Sequence, residues 1–387
     1  MAKVRLRKDL SRHVRAGHPW IFADALAARP AVPTGGVVDV VGTEGRFLAR
    51  GLYDASSPIA VRVFTLDARE GLDGALVRRR LAEALVARRG VIDPTETDTF
   101  RWCNGEGDLL PGVVVDVYAH VAVVRLDGEA ARAVLPFVVQ AVVELGRPLG
   151  VTEVIERSRG AKSARLHGAA ELPVVAVREH GVHFSVDVLH GQKTGSFLDQ
   201  RENRRAIRPY ARGENVANLF CYTGGFSVQA ALGGARRVWS VDSAAGALVS
   251  ARDNFARNGL DPGRHAFDCE DVFAWLDRMR TEGTRFGLAV VDPPSFAPSE
   301  RSVARALAAY RDLFAASLQV IDPGGVLCAS SCSSHVDAEA FLGTLRDAAG
   351  KARRPLRVLE VRGQPGDHPT PPAFPEGRYL KFVVCRA

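Results

Sequence analysis

Apolar and alternating residues crowd the stretch from 35 to 67 in three short runs: VVDVV (37–41), RFLARGLY (46–53) and IAVRVFTL (59–66). Turn-forming GTEG and DASSP separate them. Runs of this length bounded by Gly, Pro, Asp and Ser predict strands, and their close spacing predicts a small β-rich module over residues 1–75. The rhythm is mixed over residues 76–184. GALVRRRLAEALVARRGV (74–91) carries apolar residues at helical spacing under a basic outer face. GVVVDVYAHVAVVRLDG (112–128) predicts a hairpin, and ARAVLPFVVQAVVELG (131–146) a second, mostly buried helix.

Over residues 185–387 the pattern becomes a strict alternation of strand and helix. The strands are ENVANLF, RRVWSVD, HAFDCED, FGLAVVDPP and GVLCASS. The helices are VQAALGG, AAGALVSARDNFARNG, VFAWLDRMR, SVARALAAYRDLFAASLQVI and DAEAFLGTLRDAAG. Such alternation predicts βαβ units and a parallel α/β sheet. LRVLEVR and RYLKFVVCRA follow too closely for a crossover helix, so the sheet is expected to end on an antiparallel pair.

Length and composition narrow this picture. A chain of 387 residues exceeds one ordinary core and predicts two or three domains. A hydrophobic fraction of 47% with 25% charged residues is that of a soluble globular protein. There is no apolar leader at the N-terminus and no run of roughly 18 apolar residues, so neither a secretory signal nor a membrane span is expected. The six cysteines, Cys103, Cys221, Cys269, Cys328, Cys332 and Cys385, are scattered without CxxC pairs or histidine clusters. That spacing points to a reducing cytoplasm and to neither a disulfide framework nor a metal site. The net charge of +7, mostly arginine, favours an acidic partner.

In an open α/β sheet, ligands sit beyond the carboxyl ends of the strands. The first strand there delivers Phe220, Cys221, Tyr222, Thr223, Gly224 and Gly225, where paired glycines let backbone approach a ligand ahead of a helix N-terminus. The second delivers Asp242, placed to accept hydrogen bonds from two ribose hydroxyls. The third delivers Asp271 for an adenine amino group and Val272 for the ring. The fourth delivers Asp292, Pro293 and Pro294, and the fifth Cys332. A strand-end Asp is also a common helix N-cap, a reading open for Asp242 and Asp271. The joint pattern predicts an adenosine-containing cofactor. The absence of G-x-G-x-x-G disfavours a dinucleotide and leaves S-adenosylmethionine.

The stretches NLFCYTGGFSVQAALGGARRVWSVDSAAGAL, VVDPPSF, SSCSS and GQKTGSFLDQREN resemble the bacterial large-subunit ribosomal RNA cytosine-C5 methyltransferases. The resemblance extends to GHPWIF, GRFLARGLYDASSPIAVRV and NGEGDLLPGVVVDVY, and so spans nearly the whole chain. It implies a PUA-like RNA-binding domain (1–75), an α+β linking domain (76–184) and a class I S-adenosylmethionine methyltransferase domain (185–387). It also implies that the CYTGG loop holds the methionine part of the cofactor, Asp242 the ribose and Asp271 the adenine. Asp292 would lie between cofactor and target base, and Arg201 would meet the methionine carboxylate. The alternative for Lys193 and Arg201 is a structural hairpin.

Cytosine C5 is a poor nucleophile until a thiolate adds at C6. DPPS lacks a cysteine, whereas Cys332 on the neighbouring strand end supplies one, and the family carries its nucleophile in this loop. Asp292 would grip the N3/N4 edge of the base. Cys328 lies in the apolar part of the same strand and is expected in the core; Cys103, Cys269 and Cys385 are expected to be structural. Arg5, Arg7 and Arg12 of the first module, with Lys193, are candidate phosphate contacts on ribosomal RNA. Three other readings stay open at this point: methylation of an exocyclic adenine or guanine amine through Asp292-Pro293-Pro294, an RNA-binding protein without activity, and a nicotinamide oxidoreductase. A homodimer is likewise left open.

Overall fold

The structure is a computed structural model that describes residues 1–158, 162–172, 174–297 and 299–387. The first strands are β1 (Ala2–Arg5), β2 (Trp20–Phe22), β3 (Val37–Val41), β4 (Phe47–Tyr53) and β5 (Ile59–Thr65), with the short helix α1 (Ser11–Arg15) between β1 and β2. They form a sheet in the order β1-β3-β4-β5-β2, in which β1 runs parallel to β3 and the other pairs are antiparallel. The three runs read from the sequence are β3, β4 and β5. Gly51 is required where β4 meets β5, because a Cβ there would stand 2.1 Å from the Arg62 carbonyl oxygen.

A second sheet follows with α2 (Gly74–Arg88), β6 (Thr99–Asn104), β7 (Val113–Tyr118), β8 (Val121–Leu126), α3 (Leu135–Gly146), β9 (Glu153–Glu156) and β10 (Ala164–His167), ordered β10-β9-β8-β7-β6. Asp73 caps α2 by accepting from the Leu76 amide, a contact of about 1 kcal/mol. The expected helix 131–146 begins late: Pro136 occupies its first turn, and a 3₁₀ stretch, Glu129–Val134, precedes it. Val77 and Leu81 of α2, Val138 and Val142 of α3, and Val115 and Val124 of the sheet share one buried cluster. Trp102, fully buried there, donates its indole N–H to the Leu81 carbonyl at 2.9 Å.

The chain divides into two units. One comprises Met1–Gly181, Val186–Leu198 and Gly366–Gly377, the other Val182–Ser185, Asp199–Pro365 and Arg378–Ala387. Two short strands, β11 (Val175–Glu179) and β12 (Val182–Val186), lie where the chain passes from one to the other. The boundary expected at 184 therefore falls inside β12, and the one expected at 75 lies within the first unit, at the start of α2.

The second unit opens with helices α4 (Arg201–Ala206) and α5 (Arg208–Ala211). It continues with β13 (Asn215–Leu219), α6 (Gly225–Leu232), β14 (Arg237–Asp242), α7 (Ala245–Arg257), β15 (Ala266–Cys269), α8 (Val272–Glu282) and β16 (Phe286–Val291). It ends with α9 (Val303–Leu318), β17 (Ile321–Ser331), α10 (Ala338–Ala352), β18 (Arg357–Arg362) and β19 (Lys381–Arg386). Among the described residues these strands form a sheet in the order β15-β14-β13-β16-β17-β19-β18. The pairs from β15 to β17 are parallel, and β19 is antiparallel to both of its neighbours. The strand order reverses between β13 and β16, which is the topological switch point. Every residue of β16 is buried, as a parallel strand covered on both faces requires. Trp275 and Leu276 of α8, Tyr310 and Phe314 of α9 and Phe341 of α10 pack into one cluster with Phe286, Leu327 and Val383 of the sheet.

Candidate active site

The register levels the strand ends. Leu219 pairs with Val241 on one side and Val291 on the other, and Val291 pairs with Ala329. Phe220, Asp242, Asp292 and Cys332 therefore follow at the same carboxyl edge of the sheet.

The first loop is bent by backbone that side chains rarely adopt: φ is +59° at Phe220, +49° at Tyr222 and +77° at Gly224. The Asp242 carboxylate holds that bend. One of its oxygens accepts from the Tyr222 amide at 2.9 Å and the other from the Ala244 amide at 2.9 Å. A Cβ on Gly224 would stand 2.9 Å from the Ala251 Cβ, so glycine is needed there for space as well as for conformation. Gly224 is the N-cap of α6 and offers no side chain to the helix, which starts three residues earlier than its apolar spacing predicts. Thr223 is partly exposed, and its carbonyl accepts from the Asn254 amide nitrogen at 2.9 Å. Cys221 is buried, and burial with Asp242 nearby pushes its thiol up.

The donor set fits an adenosine cofactor with a carboxylate tail. Each Asp242 oxygen accepts one backbone N–H and keeps a lone pair for a vicinal diol. The uncapped amides of α6 suit an anion. Asp271 is exposed and caps α8, accepting from the amides of Phe273 and Ala274. Val272, 3% exposed, belongs to the core cluster. Capping and packing are thus one use of these two residues, and neither excludes the expected adenine contact.

Asp292 is half-buried and takes a hydrogen bond from Gln200 Nε2 at 3.0 Å. The same amide nitrogen reaches Ser330 Oγ at 2.9 Å, and Gln200 Oε1 accepts from Asn203 Nδ2 at 2.7 Å. Arg201 does not lie in a hairpin: it begins α4, is 1% exposed and donates to Glu202 Oε1 at 3.0 Å. The arginine against the glycine loop is Arg204, whose Cδ would stand 2.7 Å from a Cβ on Gly225. Gln200 and Asn203 lie in the GQKTGSFLDQREN stretch but carry no site role by sequence alone, and Arg204 follows directly after it. Lys193, in the other unit, places its ammonium 4.5 Å from the centre of the Phe197 ring.

Cys332 is partly exposed, whereas Ser330, Ser331 and Ser333 around it are fully buried. Tyr310 gathers two of these: Ser331 Oγ donates to its hydroxyl at 2.9 Å, and Ser333 Oγ lies 2.9 Å from it. Ser295 Oγ, in the loop after Asp292, is 3.0 Å from Ser333 Oγ, which ties the two chemistry-bearing loops together. Cys328, Cys103 and Cys385 are buried and their thiols are pushed up, Cys385 to about 11, so they pack as small hydrophobes. Cys269, expected to be structural, is exposed. Arg5, Arg7 and Arg12 are exposed in the first unit, with Arg7 4.0 Å from Asp24. Among the described residues no cluster of His, Cys, Asp and Glu could hold a metal ion, and no helix is long and apolar enough to cross a membrane.

Comparison with known proteins agrees with this geometry. Residues 146–373 match a family described as S-adenosylmethionine-dependent methyltransferase, and residues 4–66 match a PUA-like domain. The chain is similar to ribosomal RNA large subunit methyltransferase I of Klebsiella pneumoniae (strain 342), 36% identical over 99% of this chain and 98% of the relative. It is 37% identical to the protein of that name from Aeromonas hydrophila, over 100% and 99%. Among solved structures, a methyltransferase complexed with SAH superposes with a TM-score of 0.91 at 23% identity, covering both chains fully. A SAM-dependent methyltransferase from Streptococcus mutans gives 0.89 at 23%, again over both whole chains. At that identity the two structures speak for the fold.

Proposed function

The chain belongs to the S-adenosylmethionine-dependent methyltransferase family, and from that membership we propose that it methylates C5 of a cytosine in large-subunit ribosomal RNA with Cys332 as the nucleophile. The observation that carries this reading is the setting of Cys332: a reachable thiol at the sheet's carboxyl edge, in a loop fastened through Ser333 to the loop of Asp292.

The backbone of residues 220–225 and the Asp242 carboxylate would hold the cofactor. S-adenosylmethionine, when bound, supplies an electrophilic methyl group. The rest falls to this chain's own residues. The Cys332 thiolate adds to C6 of the cytosine and pushes the ring electrons toward N3, which makes C5 nucleophilic. Asp292, steadied by Gln200, holds the N3/N4 edge of the ring as charge develops there. Once C5 carries the methyl group, water or Asp292 takes the C5 proton, the C5–H electrons re-form the C5–C6 double bond, and the C6–S bond breaks to release the Cys332 thiolate. The target base must leave its stack to be reached.

Residues 1–75 are assigned as an RNA-binding module, in which Arg5, Arg7 and Arg12 meet phosphates, with Lys193 as a further contact. Residues 76–184 are assigned as the linking domain, and the setting as the cytoplasm. A homodimer would use β18, an edge strand that exposes Val358, Leu359 and Val361.

Nucleoside mass analysis of ribosomal RNA from cells lacking the protein tests the reading: 5-methylcytidine should fall at one site. Loss of a methylated exocyclic amine instead would favour the Asp292-Pro293-Pro294 alternative. Cys332→Ala should abolish methyl transfer while cofactor affinity, read by calorimetry, is kept. An undiminished rate would rule out the thiolate.

A further inference from the structure

Lys381 opens β19 and is 4% exposed, an unusual place for an ammonium group. Antiparallel pairing sets it opposite Ser331, the residue before Cys332. Its Nζ donates to the carbonyl of Ser333, the residue after Cys332, at 2.6 Å, and to the Tyr379 carbonyl at 2.7 Å. The side chain thus spans the backbone on both sides of Cys332. Two of its three N–H groups are taken by neutral carbonyls, which satisfy hydrogen bonds but do not neutralise the charge.

We propose that Lys381 is a positioning residue for Cys332, its ammonium holding the sulfur in the anionic form that adds to a pyrimidine. The inference rests on the reading of Cys332 as nucleophile. Among the described residues, the charged groups that act on the ammonium are Cys332 on the β17 loop and Asp337 at the start of α10. Asp337 is exposed and caps α10 by accepting from the Ala340 amide at 2.8 Å, so water screens it. The sulfur is the partner nearer the interior. Tyr310, on α9, also lies within electrostatic reach of Cys332, and burial pushes its phenol up, so it stays neutral and does not compete for the ammonium. Burial pulls the Lys381 ammonium down, Cys332 and Asp337 offset part of that, and the balance stands at about 8. A thiol beside such a cation ionises more readily, as reactive cysteines require.

The test is peptide-resolved alkylation of the full chain with iodoacetamide from about pH 5 to about pH 10, with the exposed Cys269 as reference in the same sample. In the unmodified protein, Cys332 should reach half-maximal reactivity at a lower pH than Cys269. In Lys381→Met, Cys332 should react about tenfold more slowly at pH 7 while Cys269 is unchanged, and Lys381→Arg should restore most of the rate. A Cys332 rate in Lys381→Met within about twofold of the unmodified protein would overturn the proposal. If the Met variant does not fold, a Cys332 profile no lower than that of Cys269 overturns it without any variant. Full methyl transfer by Cys332→Ala would instead remove the nucleophile reading and leave the thiol titration standing, so the two failures are distinct.

Discussion

Gln200 Nε2 donates to Asp292 Oδ1 at 3.0 Å, and Asn203 Nδ2 steers the same side chain by donating to Gln200 Oε1 at 2.7 Å. Gln200 is 3% exposed, Asn203 1% and Ser330 fully buried, so these amides form a small dry relay behind Asp292. Gln200→Leu should remove the Gln200 hydrogen bonds to Asn203, which keeps the Gly363 carbonyl, and to Ser330, and lower stability by about 1–3 kcal/mol. It should also slow methyl transfer roughly tenfold to hundredfold. Urea melts and single-turnover rates check both, and unaltered turnover would remove Asp292's dependence on the amide.

Asp242 holds the loop through both carboxylate oxygens and, in the proposed reading, holds the cofactor ribose as well. Asp242→Asn keeps one acceptor oxygen but loses the charge and one acceptor for the Tyr222 and Ala244 amides. Calorimetry should show S-adenosylmethionine bound roughly tenfold to hundredfold more weakly. A change under about twofold would place the ribose elsewhere.

Gly224→Ala meets two obstacles at once, a φ of +77° and an Ala251 Cβ 2.9 Å from the new methyl group. The conformation alone costs about 1–2 kcal/mol. The melting temperature and cofactor affinity should fall together, whereas Gly246→Ala, with open space around the position, should leave both near their starting values.

Lys381 makes stability depend on pH in a direction opposite to an ordinary ion pair. Its ammonium gives up its proton near 8 in the fold against 10.5 when exposed, so the folded chain binds fewer protons between those values. Below about 8 the burial penalty is fully present. It is relieved as pH rises from about 8 toward 10.5. Relative to Lys381→Met, the unmodified protein should therefore gain on the order of 2 kcal/mol across that window, read from denaturant midpoints. A constant difference would mean that Lys381 titrates normally.

The candidate positions at this edge are legible because β13, β16 and β17 end one residue before Phe220, Asp292 and Cys332, and β14 ends on Asp242 itself. Asp242, Asp292 and Cys332 stand out by that punctuation alone. Asp271 and Val272 satisfy the same rule, and there the carboxylate also caps α8 and the valine also packs inward. A strand-end acid is equally good at capping, and the chain carries no mark to separate the two uses. Gln200 and Arg204 were hidden for another reason. They sit at and within α4, six residues long after a turn-rich stretch, too short to show a period. Lys381 was hidden by non-locality: a lysine heading a strand reads as an edge residue until β19 is known to pair with β17. The 3₁₀ entry to α3 ends just before Pro136, a proline that marks a first helical turn and so a start later than apolar spacing suggests.

The place of β19 has a bearing on how the molecule is made. It comes after β18 in the chain yet separates β18 from β17, so β18 has no neighbour to join until β19 has been threaded in. A nascent polypeptide cut short before Lys381 would present the rim of β17, ordinarily an interior strand, as a bare ladder of amides and carbonyls. Such a fragment would be prone to clump and would lack the cation beside its reactive sulfur. Quality control by aggregation and catalytic competence would thus turn on the same six residues.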